Sequence, residues 1–295
     1  MRSRREFLIG GAAAAAIQAQ APASEKIIDI HQHTDYSGRT DPQMLAHQKR
    51  MGITKTVLLP SGRKYGLAAM AGLNESCYRI VREHPDEYTF FANEIPDIPE
   101  AHDVIVKYLK LGAIGIGEQK YPVDSDSVHM EKIASIAQEF GVPVLMHFQH
   151  QTYNTDIHRF YKLLEKFPRV NFIGHAQTFW GNIDADVNQK DLYPKGKIAP
   201  GGITDRYLRD YPNMYGDLSA GSGLNAMTRD EDHARAFLAR HQDKLLYGSD
   251  CSDKDGQGAT CSGAQQIATV KRLAPDAKAV RKMLYGNAAR VLKIG

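Results

Sequence analysis

The chain of 295 residues sets 37 lysines and arginines against 34 acidic residues, a formal net charge of +3, and contains three cysteines. That balance lacks the basic field expected of a nucleic-acid partner or of binding to an anionic membrane surface. Three cysteines do not make a disulfide framework, although Cys251 and Cys261 could pair in an oxidising compartment.

Residues 1–25 read as a segment apart from the fold. Ser3-Arg4-Arg5-Glu6-Phe7-Leu8 carries paired arginines, an uncharged run follows from Ile9 to Ile17, and Ala19-Gln20-Ala21 or Ala21-Pro22-Ala23 closes it. A positive start, a short apolar stretch and small residues at a cleavage point make a signal peptide. The paired arginines with Phe-Leu behind them resemble a twin-arginine export signal, which implies a periplasmic or otherwise exported mature protein. The run is too short and too rich in Ala and Gly for a good membrane span. Losing Arg2, Arg4, Arg5 and Glu6 removes a net +2 from the formal +3 and leaves about +1.

Residues 26–295 read as one domain in which strands and helices alternate. Strands are expected at 26–31, 54–60, 88–95, 113–119, 142–147, 170–176, 214–220 and 244–250. Most are continuous apolar runs, the kind buried on both faces of a parallel sheet. Apolar residues at three- and four-residue spacing predict helices at 73–83, 101–111, 130–140, 157–167 and 233–241, with Gly112, Gly141 and Pro168 as stop signals. After the sixth strand a connection of 37 residues, 177–213, holds Trp180 and Gly201-Gly202. Loops of that length are usually lids or binding loops; the plainer alternative is a surface excursion or an oligomer contact. A final helix over 277–292 would pack back on the rest. The alternation implies a parallel sheet, and at this length a closed (β/α)8 TIM barrel rather than an open one.

The chemistry lies at the strand ends. His31 and His33 end the first strand two residues apart, so they project to one side. His147 ends the fifth strand, His175 the sixth and Asp250 the eighth. A parallel barrel brings these ends to one rim, where residues distant in sequence can surround a single ion. Any one such histidine is more often a satisfied core residue; the five residues together are not. Imidazoles with a carboxylate suit Zn²⁺ among divalent metals. His31, His33, His147 and Asp250 would leave room on the ion for a water, which it acidifies. His175 would bind a second ion, handle the water's proton, or steady charge on the substrate. Glu118, at the fourth strand end, could ligate, bridge two ions, or support a ligand through a hydrogen bond. Substrate contacts are expected from Gln119, Lys120, Gln149, His150, Gln177 and Trp180, with Arg63 and Lys64 placed to attract a carboxylate. Asp217, Ser219 and Ser222 would add hydrogen-bonding groups. Cys251 reads as packing rather than as a nucleophile.

In order along the chain, Asp29-Ile30-His31-Gln32-His33, His147, Gly174-His175, Gly248-Ser249-Asp250 and Asn287-Ala288-Ala289-Arg290 resemble the amidohydrolase superfamily. Within it they are similar to the branch typified by aminocarboxymuconate semialdehyde decarboxylase. The resemblance implies that His31, His33, His147 and Asp250 bind a metal and that His175 is catalytic or a ligand. Binuclear members use a carboxylated lysine after strand four, where this chain has Gly117-Glu118-Gln119-Lys120. One divalent ion, Zn²⁺ first, is therefore expected, with a second left open. A twin-arginine route would export the protein folded, its metal already loaded.

The expected activity is hydrolysis of an amide, lactone or ester, with Asp250 taking a proton from water and passing it to the leaving group. Non-oxidative decarboxylation at the same metal site is the alternative. A barrel that binds without catalysing is a third reading, and no ligand is missing to favour it. The expected partner is a small-molecule substrate, and a homodimer is the default assembly.

Overall fold

The computed structural model describes residues 25–62 and 71–294. Residues 1–24 of the export segment, Arg63 and Lys64 lie outside the described residues. Eight strands follow in order: β1 (Ile28–Gln32), β2 (Lys55–Leu58), β3 (Tyr88–Phe90), β4 (Ile116–Gln119), β5 (Val144–His147), β6 (Phe172–His175), β7 (Met214–Asp217) and β8 (Leu245–Leu246). Each pairs in parallel with the next, as β1-β2-β3 and as β4 through β8. Two seams close the ring. Ala92 bridges Ile116, and the Ile114 amide donates to the Phe90 carbonyl at 2.9 Å. At the other seam the Ile30 amide donates to the Tyr247 carbonyl at 3.1 Å. The fold is the expected (β/α)8 barrel, with shorter strands than the apolar runs suggested.

Alternation along the strands makes two cores. Leu145, Ile173 and Tyr215 are paired neighbours in register and fill the barrel with Ile30, Leu59 and Leu246. Their neighbours Val144, Met146, Phe172 and Met214 point the other way, under the helices. Val291 and Leu292 of the C-terminal helix pack on the inner cluster, as the sequence led us to expect. Full burial of each such side chain contributes about 1.5–3 kcal/mol, so the lower barrel is a firm support for a polar rim.

The predicted helices appear as Asn74–Glu83, Ala101–Lys110, Val128–Phe140 and Glu231–His241. Local chemistry sets the third: the Ser127 hydroxyl accepts from the Met130 amide at 3.3 Å, and Gly141 at φ 64° ends the helix. The stretch 157–167 divides into a 3-10 turn, Ile157–Arg159, and a helix, Tyr161–Lys166. The stretch 277–292 is helical but passes through a π turn, Lys282–Gly286. The long connection 177–213 needs correction, because it contains two helices, Ala176–Gly181 and Ile203–Asp210. Ile203, Tyr207 and Leu208 form the buried stripe of the second, a pattern eight residues long and easily lost among Gly and Pro. No helix among the described residues is long and apolar enough to cross a membrane.

Candidate metal centre

The rim residues are placed by the alternation that fills the core. Two positions past Leu145, Ile173 and Tyr215 come His147, His175 and Asp217, one layer higher on the same inner face. β4 departs from this rule, since Ile116 packs outside the barrel while Glu118 turns in. Its pairing with β5 shifts between Ile116 and Gln119, and Gly117 sits there at φ 143°. A side chain at Gly117 would place Cβ 2.7 Å from the Leu145 carbonyl oxygen. Gly248 serves similarly: a Cβ there would lie 2.4 Å from Asp217 Oδ1.

Four imidazoles and three carboxylates meet at this layer, nearly all buried. His31 Nδ1 lies 2.7 Å from Asp217 Oδ2, and His33 Nδ1 lies 2.7 Å from the Leu59 carbonyl. His175 Nδ1 lies 2.9 Å from Ser219 Oγ and 3.3 Å from Asp217 Oδ2. These partners accept at Nδ1, so all three rings carry their proton there and present the Nε2 lone pair inward. His31 Nε2 and His33 Nε2 are 3.2 Å apart. Asp250 stands 3.4 Å from the Nε2 of both His33 and His175, and 3.8 Å from that of His31. Glu118 stands 3.6 to 3.7 Å from the same three nitrogens. His147 meets Glu118 through Nδ1 at 2.5 Å and Gln149 Oε1 through Nε2 at 3.3 Å.

Lone pairs and carboxylates facing one point repel unless a cation sits between them. A tetrahedral ion with ligands at 2.0–2.2 Å holds its donors about 3.3–3.6 Å apart, close to the spacings here. The donor set therefore fits a divalent metal, which His31, His33, Asp250 and Glu118 would hold, with His147 and His175 in reach. The electrostatics agree. Burial works against a charged His31, yet Asp250 and Asp217 outweigh it and hold the imidazole well above its ordinary range. The cluster thus draws positive charge to Nε2, where a proton and a metal compete. Burial likewise opposes ionised Asp250 and Glu118, but the surrounding histidines, led by His31 and His147 respectively, hold both carboxyls well below theirs. Burial pushes the His147 imidazole down to about 4 in spite of Glu118, leaving it neutral and able to ligate.

The expected substrate residues divide. Lys120 lies 5.6 Å over the Tyr153 ring, Gln149 touches His147, and Gln177 donates to the Tyr193 hydroxyl at 3.4 Å, all half-buried around the rim. Trp180 is a correction. Its ring packs against Phe179 and Phe237 outside the barrel, and its N–H donates to the Asp217 carbonyl at 2.8 Å. Gln119 is another, fully buried with its amide donating to Asn93 Oδ1 at 2.6 Å. His150 turns into a crevice lined by Asn154, His158 and Gln189. Arg63 lies outside the described residues. Two residues gain weight. Asp217, expected only to line the site, orients two of the rings. Tyr36, unforeseen, donates to Asp250 Oδ1 at 2.8 Å from a 3-10 turn that carries no sequence signal.

The sequence model of the amidohydrolase family matches residues 28–294. Comparison with curated protein sequences gives no significant match. Among solved structures, a TIM-barrel protein from Bordetella bronchiseptica is 16% identical, with a TM-score of 0.64 over 91% of this chain and 98% of that one. A candidate 2-pyrone-4,6-dicarboxylic acid hydrolase from Pseudomonas putida is 15% identical, with a TM-score of 0.62 over 91% and 98%. A 5-carboxyvanillate decarboxylase from Sphingomonas paucimobilis is 16% identical, with a TM-score of 0.56 over 92% and 100%. At such identities the likeness is one of fold.

Proposed function

Because the chain belongs to the amidohydrolase family of enzymes, we propose that it is a metal-dependent hydrolase of an acyl C–N or C–O bond in an amide, lactone or ester. The observation that carries this reading is the set of inward Nε2 lone pairs on His31, His33 and His175, faced by Glu118 and Asp250 at ligand spacing. His31, His33, Glu118 and Asp250 would hold one divalent ion, Zn²⁺ first, with His147 in reach to join them. When bound, such an ion supplies Lewis acidity for water and for a substrate carbonyl.

The chain's own groups do the rest. Asp250, with its side chain 13% exposed, faces the opening and accepts a proton from water, then returns it to the leaving group. The Tyr36 hydroxyl steadies Oδ1, so Oδ2 is the oxygen beside His175. His175, with Nδ1–H committed to Ser219, keeps Nε2 as an acceptor that ligates or shares that proton. Lys120, Gln149 and Gln177 receive the polar end of the substrate. The paired arginines near the N-terminus support an exported enzyme that meets its substrate in the periplasm.

Lys120 also favours a second reading. An ammonium beside Glu118 would hold a substrate carboxylate next to the ion, the arrangement a non-oxidative decarboxylase needs. Carboxylated lactones, esters and hydroxybenzoates incubated in ¹⁸O-labelled water separate the two. Hydrolysis puts label into the acid product; decarboxylation releases CO₂ and leaves the organic product unlabelled. Elemental analysis should find about one metal equivalent per chain that depends on the rim, present in the parent protein and lost in His31→Ala/His33→Ala. Asp250→Asn should cut kcat by about 10²–10⁴-fold with KM little changed. Near-normal turnover in that variant would remove Asp250 as the base.

A further inference from the structure

A second cluster of ligating side chains lies behind the rim, made of sulfur donors and one imidazole. Cys251 Sγ and Cys261 Sγ are 3.6 Å apart, and His47 Nε2 is 3.4 Å from Cys261 Sγ. Met51 Sδ adds a thioether 3.6 Å from Cys261 Sγ. His47 and Cys261 are fully buried and Cys251 is 3% exposed. The three come from different elements: the helix Asp41–Arg50, the residue after Asp250, and the position that opens the helix Ser262–Leu273.

The hydrogen bonds settle which His47 nitrogen is free. Gln48 spends its amide protons on Asp29 Oδ2 at 2.7 Å and Thr56 Oγ1 at 2.9 Å. Its Oε1 therefore accepts from His47 Nδ1 at 3.0 Å, and Nε2 turns a lone pair to the sulfurs. The Ala264 amide donates to Cys261 Sγ at 3.3 Å, a contact that favours sulfur in its thiolate form. We propose that Cys251, Cys261 and His47, with the Met51 thioether on the fourth side, form a second, structural metal site for a thiophilic divalent d10 ion of the Zn²⁺ class.

Spacing and charge both support this. Tetrahedral Zn²⁺ with Zn–S of about 2.3 Å and Zn–N of about 2.0–2.1 Å sets S–S edges near 3.8 Å and S–N edges near 3.6 Å. Each thiol gives its proton to solvent on binding, so two thiolates and a neutral imidazole around a divalent ion make a neutral centre. A buried position tolerates that better than it would an unbalanced charge. A disulfide between the same cysteines fits less well. It would draw the sulfurs to about 2.05 Å and leave the buried His47 Nε2 facing atoms that have no proton to give. The ion would tie the first helix to the loop 251–261 that follows Asp250, holding that carboxylate at the rim without touching substrate.

The test needs no substrate. The reduced protein is titrated with Cd²⁺ and the thiolate-to-cadmium charge-transfer absorption is followed; the rim centre, which has only nitrogen and oxygen donors, does not contribute to that band. The band should reach the amplitude of one sulfur-bound Cd²⁺ per chain, whatever further Cd²⁺ the rim takes up. With one Cd–S bond gone, Cys251→Ser and Cys261→Ser should each reduce it to roughly half, and Cys77→Ser should leave it intact. Absence of the band in protein whose three thiols all titrate after unfolding overturns the proposal. So does protein prepared without reductant in which two of the three thiols are already joined as a disulfide.

Discussion

Asp217 shows how much one carboxylate decides at the rim. It accepts from His31 Nδ1 at 2.7 Å and from the Ser219 hydroxyl at 2.8 Å, which in turn meets His175 Nδ1. One buried anion thereby sets the tautomer of two rings whose other nitrogens face the proposed ion. Asp217→Asn keeps the shape and removes the charge. Its metal affinity should fall about 10–100-fold, read by chelator competition, with the far-ultraviolet circular dichroism unchanged. Unchanged affinity would mean that the rings are oriented by packing alone. Strand-end position was enough to mark His31, His33, His147, His175, Asp250 and Glu118 in the sequence, because a period of two points alternate residues inward. Gln119 ends β4 and Trp180 lies in the helix that follows β6, yet both are buried away from the opening. Adjacency in sequence does not say on which side of the wall a side chain falls.

Among the elements, the helices after β6 and β7 depend on pairings that cross the sequence. Asp205 on the helix Ile203–Asp210 lies 2.6 Å from His241 Nε2 and accepts from Arg240 Nε at 3.0 Å, joining the helix Glu231–His241. Burial opposes its charge, yet His241 and Arg240 hold the carboxyl below its usual range. A depressed carboxyl contributes stability that is complete above the unfolded value near pH 4 and is lost as pH falls through the folded value. Asp205→Asn should therefore cost about 1–3 kcal/mol at pH 7, and the deficit should shrink below about pH 4. Thermal melts of both proteins at the two pH values measure it; an equal deficit at both would assign the loss to packing. The same segment explains why 177–213 has the look of a loop in the sequence. Asp184 pairs with Arg229 at 3.2 Å and the Ile198 amide donates to Asp230 at 3.0 Å, so its order comes from partners beyond its own sequence.

For the whole molecule, a rim built of mutually repelling donors couples metal to stability. A ligand present at a hundred times its Kd, binding only the folded state, adds about 2.7 kcal/mol. For a barrel of this size each kcal/mol is worth roughly 2–4 °C or less in Tm. Added Zn²⁺ should raise Tm by several degrees and chelation should reverse it; the part lost in His31→Ala/His33→Ala belongs to the rim. A Tm indifferent to metal would contradict the donor geometry. Taken by itself, the sequence determined the order of eight strands, the barrel class and the imidazole and carboxylate positions at the strand ends. Those follow from local patterns, apolar runs and residue types that any short window contains. Only the tertiary structure decided that Asp217 orients His31 across 186 residues, that Tyr36 steadies Asp250, and that Cys251, Cys261 and His47 gather behind the rim. Such pairings arise when the ring closes and its register is set, and no local window of the chain carries that information.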